Sequence, residues 1–105
     1  MLPVIFGLSG TTLSVEERAF FRVAEPVGYI LFARNVVSPQ QLHGLTAELR
    51  DLHGRDDLLV LVDQEGGRVA RLTPPAWPAY PAAAALAASW QRDREAAIAA
   101  TQYNY

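Results

Sequence analysis

Three short apolar runs punctuate the first part of the chain: Val4-Ile5-Phe6, Val27-Gly28-Tyr29-Ile30-Leu31-Phe32 and Leu58-Leu59-Val60-Leu61-Val62. Runs of this length, bounded by glycine or polar clusters, read as strands. Their near-continuous apolar character suits strands buried on both faces, as in a parallel sheet. Each run ends abruptly. The first stops at Gly7 and Gly10, the second at Arg34 and Asn35, and the third passes in one step into Asp63-Gln64-Glu65-Gly66-Gly67-Arg68. A buried strand that turns polar within one residue delivers side chains to the rim of a sheet, where α/β folds bind ligands. The plainer alternative is an acidic turn that only caps a strand.

Between the runs the period changes to that of a helix. Ser14-Val15-Glu16-Glu17 fits a capping box, and Val15, Ala19, Phe20 and Val23 then form one apolar side before Pro26 closes the segment. In the next helix Ser38 is the N-cap, Pro39 sits where its missing amide costs nothing, and Gln41 completes the box. Leu42, Leu45, Leu49 and Leu52 recur at helical spacing, and Gly54 ends the stretch. The order strand, helix, strand, helix, strand implies right-handed parallel crossovers, the start of an α/β sheet or barrel.

Past Leu72 the character shifts. Residues 74–81 hold four of the seven prolines, which excludes a regular helix or a central strand. Trp77 and Tyr80 mark this stretch as an ordered loop over the sheet rim rather than a free linker. Ala82 to Ala88 and Arg94 to Thr101 read as two weak helical starts. A three-stranded parallel unit has two bare edges, so the chain is expected to be the front of something larger.

Composition narrows the class. The 105 residues, half of them hydrophobic and 19% charged, suit one small globular domain spanning 1–105 and argue against disorder. All nine basic residues are arginines, scattered without a cluster, and the net charge is −2. Neither nucleic acid nor a membrane surface is an expected partner. The absence of cysteine excludes disulfides and thiolate metal sites. The N-terminus lacks a signal-peptide pattern and no window is long enough to span a bilayer, so a cytoplasmic protein is expected. His43 and His53 stand apart from any histidine or carboxylate ligand spacing, so no metal is expected. The phosphate-binding glycine signatures are absent too, and no cofactor is expected.

The chemistry-bearing residues cluster after the third run. Asp63 and Glu65 near a rim suggest glycoside hydrolysis, but two carboxylates of one loop rarely oppose each other across a sugar. Accepting two vicinal sugar hydroxyls on its two oxygens is a less demanding role for Asp63. Gly66-Gly67 allows positive φ or a close approach to a ligand, or is a simple turn. Of Arg68 and Arg71, one suits pairing with Glu65 to shape the loop, and the other suits a carboxylate, a phosphate or sugar oxygens.

Residues 62–72, Val-Asp-Gln-Glu-Gly-Gly-Arg-Val-Ala-Arg-Leu, closely resemble the signature of the family 3 glycoside hydrolases of the bacterial β-N-acetylglucosaminidase type. Gly7-Leu8-Ser9-Gly10 with Glu16-Glu17, then Gly28 to Asn35, then Pro39 to Leu42 with Leu49-Arg50, agree with it in order and spacing. The resemblance implies the N-terminal βαβαβ portion of a (β/α)8 barrel and a retaining hydrolase acting on N-acetylglucosamine-containing glycans, such as cell-wall muropeptides. It implies that Asp63 binds the sugar hydroxyls, that Arg71 is a second substrate contact, and that Arg34 lines the same pocket. Glu65, Gly66, Gly67 and Arg68 would shape the loop.

The family's nucleophile is an aspartate on a late strand, and its acid/base is a histidine following a lysine. Both are expected to lie beyond the end of this chain, which holds no lysine and whose two histidines sit outside that motif. No catalytic residue is assigned within the chain, and a truncated barrel domain without turnover is expected. The competing readings are a non-catalytic sugar-binding module, a subunit completed by another chain, or a small doubly wound domain for some other ligand.

Overall fold

The computed structural model describes residues 1–104. The chain divides into two compact units, Met1–Asp63 and a second that begins at Gln64.

The first unit runs β1 (Leu2–Gly7), α1 (Val15–Ala24), β2 (Pro26–Leu31), a 3-10 turn (Ala33–Asn35), α2 (Pro39–His53) and β3 (Leu59–Val62). The three strands pair in parallel in the order β1-β2-β3. Phe6, Tyr29 and Val60 stand in register across the sheet, as do Gly7, Ile30 and Leu61. The second unit holds a two-stranded antiparallel ribbon, β4 (Gln64–Gly66) with β5 (Val69–Ala70), followed by α3 (Ala83–Arg92) and α4 (Arg94–Asn104). Residues 74–81 contain neither helix nor strand, as their prolines require. Among the described residues no helix is long and apolar enough to cross a membrane.

Local chemistry sets the helix starts. The Ser14 hydroxyl accepts from the Glu17 amide at 3.0 Å while the Glu17 carboxylate takes the amides of Ser14 and Ser9. Burial alone would raise the Glu17 carboxyl, but these hydrogen bonds outweigh it and hold it below the ordinary value. In α2 Ser38 caps Gln41 as expected, but the Gln41 side chain reaches back to the amide of Val37 instead of closing the box on Ser38. Pro39 follows the cap, and Gly54 ends the helix at φ +60, a conformation natural to glycine.

The core lies between the sheet and its two helices: Leu8, Leu13, Phe21, Tyr29, Leu31, Leu45, Leu49 and Leu58, flanked by Phe6, Leu42, Leu52 and Val60. The leucine stripe of α2 therefore faces inward as the spacing predicts. The stripe predicted for α1 does not. Val15, Ala19 and Val23 are exposed, and Phe21 is the residue that enters the core. Aromatic stacking decides the rotation of this helix. Phe21 meets Tyr29 edge-on at 4.9 Å between ring centroids, and Phe20 leans on Phe6 at 5.4 Å.

Burial of the third run on both faces is also corrected. Leu59 is 49% exposed and Leu61 41%, while Leu58 and Val60 pack inward. Right-handed crossovers place both helices on one face of the sheet, so within this unit the other face stays open.

At the end of α2 the Tyr29 hydroxyl, on a fully buried side chain, lies 2.7 Å from His53 Nε2. His53 thus has a partner across the unit, which the sequence did not indicate. Burial lowers the His53 pKa below 6.5 and Arg55 adds to this, with Glu25 opposing. Burial pushes the Tyr29 phenol up to about 12, with Arg55 opposing. A histidine depressed in the folded state takes its proton more readily unfolded. Its contribution to stability is complete above the unfolded value and is lost as pH falls through the folded one. The urea midpoint is therefore expected to drop between about pH 7.5 and about pH 5. His53→Gln should flatten that part of the profile, and equal acid sensitivity in the variant would count against this assignment.

Candidate functional site

Parallel pairing brings the carboxyl ends of β1, β2 and β3 to one side of the first unit. Gly7 leads there into the loop of residues 8–13, Leu31 into the 3-10 turn with Arg34 and Asn35, and Val62 into Asp63. Leu31 and Val62 are in register, so Asp63 leaves the sheet level with Phe32. Of the predicted site residues, Arg34 and Asp63 share this rim.

Side chains of the 3-10 turn and of α2 hold the rim together. Asn35 is 0% exposed. Its Nδ2 donates to the carbonyls of Leu8 at 3.1 Å and Gly10 at 2.7 Å, and its Oδ1 accepts from the Phe32 amide at 2.9 Å. Gln41 Nε2 donates to the carbonyls of Thr11 and Asn35. Glu48, ion-paired with Arg18, accepts from the Leu13 amide at 3.4 Å. Arg34 Nε donates to the Leu8 carbonyl at 2.8 Å, and its guanidinium lies over the Phe32 ring at 4.8 Å. A full complement of partners for a buried amide is the normal requirement. Here those partners are the exits of two strands.

Glu65, Gly66, Gly67, Arg68 and Arg71 belong to the second unit. The stretch after Asp63 is a ribbon rather than an open loop, and its centre is Gln64. Gln64 Oε1 accepts from the amides of Arg71 and Leu72, both at 3.0 Å, and Nε2 donates to the Leu72 carbonyl at 2.8 Å. One amide side chain thus closes the turn and fixes the backbone at Arg71. Gly66 and Gly67 have φ of +86° and +59°, so both lie where glycine is favoured. The Gly67 amide donates to the Tyr80 carbonyl at 3.0 Å, so the proline-rich stretch lies against this turn. Arg71 is half-buried, whereas Glu65 and Arg68 are exposed. A cleft of about 400 Å³ beside them is lined by Glu65, Gly66, Arg68, Val69 and residues 82–84.

The rim of the first unit offers a carboxylate and an arginine, and the ribbon of the second offers its own carboxylate and arginines, each set suited to a polar neutral or anionic ligand. Among the described residues no group of three or more histidine, aspartate or glutamate side chains could hold a metal ion. The backbone-holding roles of Asn35, Gln41 and Gln64 are what the sequence pattern does not show. The available signal was a carboxamide next to a strand end or helix start, a weak one without knowledge of which backbone groups it faces.

No protein-family model matches the sequence. It is 46% identical over 91 residues to a β-hexosaminidase of Alkalilimnicola ehrlichii, a match covering 87% of this chain and 26% of that protein. The chain thus spans about a quarter of the length of the curated relatives it matches. Among solved structures it superposes on NagZ of Neisseria gonorrhoeae in complex with zinc ion, with a TM-score of 0.82 and 36% identity, covering 91% of this chain and 28% of that one. The same protein in complex with N-trifluoroacetyl-D-glucosamine gives 0.78 at the same identity and coverage. A glycoside hydrolase family 3 β-N-acetylglucosaminidase of a Paenibacillus species gives 0.72 at 34% identity, covering 81% of this chain and 16% of that one.

Proposed function

Because this chain is related over most of its length to bacterial β-hexosaminidases and to a family 3 β-N-acetylglucosaminidase, we propose that it supplies the opening βαβαβ portion of such an enzyme's barrel. The whole protein would hydrolyse terminal N-acetylglucosamine from cell-wall muropeptides or related glycans with retention of configuration. The observation that carries this reading is the superposition of 91% of the chain on a protein solved with an N-acylglucosamine analogue.

In this reading Asp63 accepts hydrogen bonds from two ring hydroxyls of the sugar, each charge-assisted and stronger than a neutral pair. Arg71 adds a second contact from the ribbon that Gln64 closes, and Arg34 lines the pocket from the end of β2. Their contribution is positioning: a sugar held in one orientation meets the reacting groups without further loss of freedom. Retention requires a carboxylate to attack the anomeric carbon, an acid to protonate the leaving oxygen, and water to resolve the glycosyl intermediate. We assign the first two of these groups to parts of the whole protein outside these residues.

The chain alone is therefore expected to bind N-acetylglucosamine weakly, with a Kd of about 1 mM or above, and to release no chromophore from a chromogenic N-acetylglucosaminide. Asp63→Ala should remove the sugar-induced amide shifts. Hydrolysis clearly above blank, or sugar shifts that survive Asp63→Ala, would overturn the assignment. A Kd tighter than about 0.1 mM without turnover would favour a self-sufficient sugar-binding module instead.

A further inference from the structure

The rim of the first unit contains one side chain whose hydrogen-bonding pattern only a carboxamide reproduces. Asn35 needs two donors and one acceptor on a single planar group, for the carbonyls of Leu8 and Gly10 and the amide of Phe32. Turning the amide over would set its NH2 against the Phe32 N–H and its oxygen against two carbonyls, so the network fixes its orientation. Aspartate keeps the acceptor but loses both donors. Leucine loses all three.

The Leu8 carbonyl is shared. Its two lone pairs take Asn35 Nδ2 at 3.1 Å and Arg34 Nε at 2.8 Å. Arg34 is anchored through Nε, not through the outer nitrogens that usually meet a ligand. Two further features hold the guanidinium in place. The Phe32 ring lies beneath it at 4.8 Å. Gly7 leaves room for it, since a Cβ there would stand 3.3 Å from Arg34 Nη2. Arg34 remains exposed, on the side of the sheet from which Asp63 emerges.

We propose that Asn35 is a positioning residue for sugar recognition: by fixing the Leu8 carbonyl and the Phe32 amide, it aims the Arg34 guanidinium at an oxygen of the bound N-acetylglucosamine. This rests on the β-N-acetylglucosaminidase reading above. Without Asn35, Leu8 O and the strand exits lose their common tie, and Arg34 reverts to a mobile surface side chain whose ordering must be repaid on binding.

The test is side-chain NMR of the full chain, with N-acetylglucosamine as probe. In the wild type the Arg34 Nε–H should give a resolved signal in slow exchange with water. In Asn35→Asp that protection should be lost, and sugar affinity should fall about fivefold, one hydrogen bond's worth, with the helical circular dichroism unchanged. In Gly7→Ala the Arg34 signal should shift and affinity should fall, while the Asn35 side-chain signals stay in place. A folded Asn35→Asp with wild-type Arg34 protection, or with affinity within about twofold of wild type, overturns the proposal. If Asn35→Asp does not fold, a wild-type Arg34 Nε–H in fast exchange with water overturns it. A wild-type chain that binds no sugar would overturn the sugar role of Asn35 in this chain and leave the family reading, which rests on sequence and fold, standing. The Arg34 exchange measurement would still show separately whether Asn35 holds the guanidinium.

Discussion

Replacing Gly66 by alanine is expected to dismantle the turn between Gln64 and Leu72. The added Cβ would stand 2.2 Å from the Pro81 carbonyl oxygen, 2.7 Å from the Pro81 carbonyl carbon and 3.0 Å from the Tyr80 oxygen. All three are backbone atoms, so no rotamer change relieves the overlap. Gly66 also has φ +86°, where a Cβ adds a penalty of about 1–2 kcal/mol of its own. Pushing the proline-rich stretch away breaks the hydrogen bond from the Gly67 amide to Tyr80 as well. The sum is about 3 kcal/mol or more, enough to open this turn without unfolding the first unit. Amide exchange would show it, as Gly67 and Leu72 lose protection while Tyr29 and Leu31 keep theirs. Wild-type protection at Gly67 in the variant would refute the close packing.

The same substitution at Gly28 should strike the first unit. There a Cβ would lie 2.6 Å from the Leu59 oxygen and 2.7 Å from the Leu59 Cβ, and Leu59 is the register partner of Gly28 in β3. Strands hydrogen-bonded this closely cannot separate locally without losing the ladder, so β3 must shift as a whole. The expected cost is about 3 kcal/mol, read as a lowered urea midpoint with an unchanged slope. Gly44→Ala is the matched control. Gly44 sits on an exposed part of α2 with nothing within 4 Å of its would-be Cβ, so alanine should raise stability by about 0.5–1 kcal/mol there. Equal effects at the two positions would mean that the Gly28 contact is not the cause.

Much of the first unit was legible because its signals are local. The apolar runs, the Ser14 box, the Ser38-Pro39 start and the Gly54 stop each depend on residues a few positions apart. What was misread depends on tertiary partners. The rotation of α1 follows from Phe21 stacking on Tyr29, eight residues on, and periodicity alone favoured the Val15 stripe. The open face of β3 follows from both helices taking one side, whereas an aliphatic run looks the same whichever face is covered. His53 looked like a helix-end residue and is also the partner of a buried phenol.

The candidate site divides in the same way. Asp63 and Arg34 were visible because a polar residue at the end of an apolar strand points to a rim. Asn35 and Gln64 stand at the same strand ends and Gln41 in the predicted capping box, but what each carboxamide holds is a set of backbone groups, and sequence does not state those. Gly66 was flagged for its conformational freedom. The Pro81 carbonyl pressed against it explains why freedom alone is not the whole requirement.

The side chains that grip the loop of residues 8–13 reach it through its main chain. Arg34 and Asn35 hold the Leu8 and Gly10 carbonyls, Gln41 the Thr11 carbonyl, Glu17 the Ser9 amide and Glu48 the Leu13 amide. Apart from Leu8 and Leu13, whose side chains enter the core, the instructions for the loop's shape are therefore written outside the loop, on two helices and a turn. Positions such as Thr11 and Thr12 are then free to drift, or to be redesigned, without rebuilding the rim.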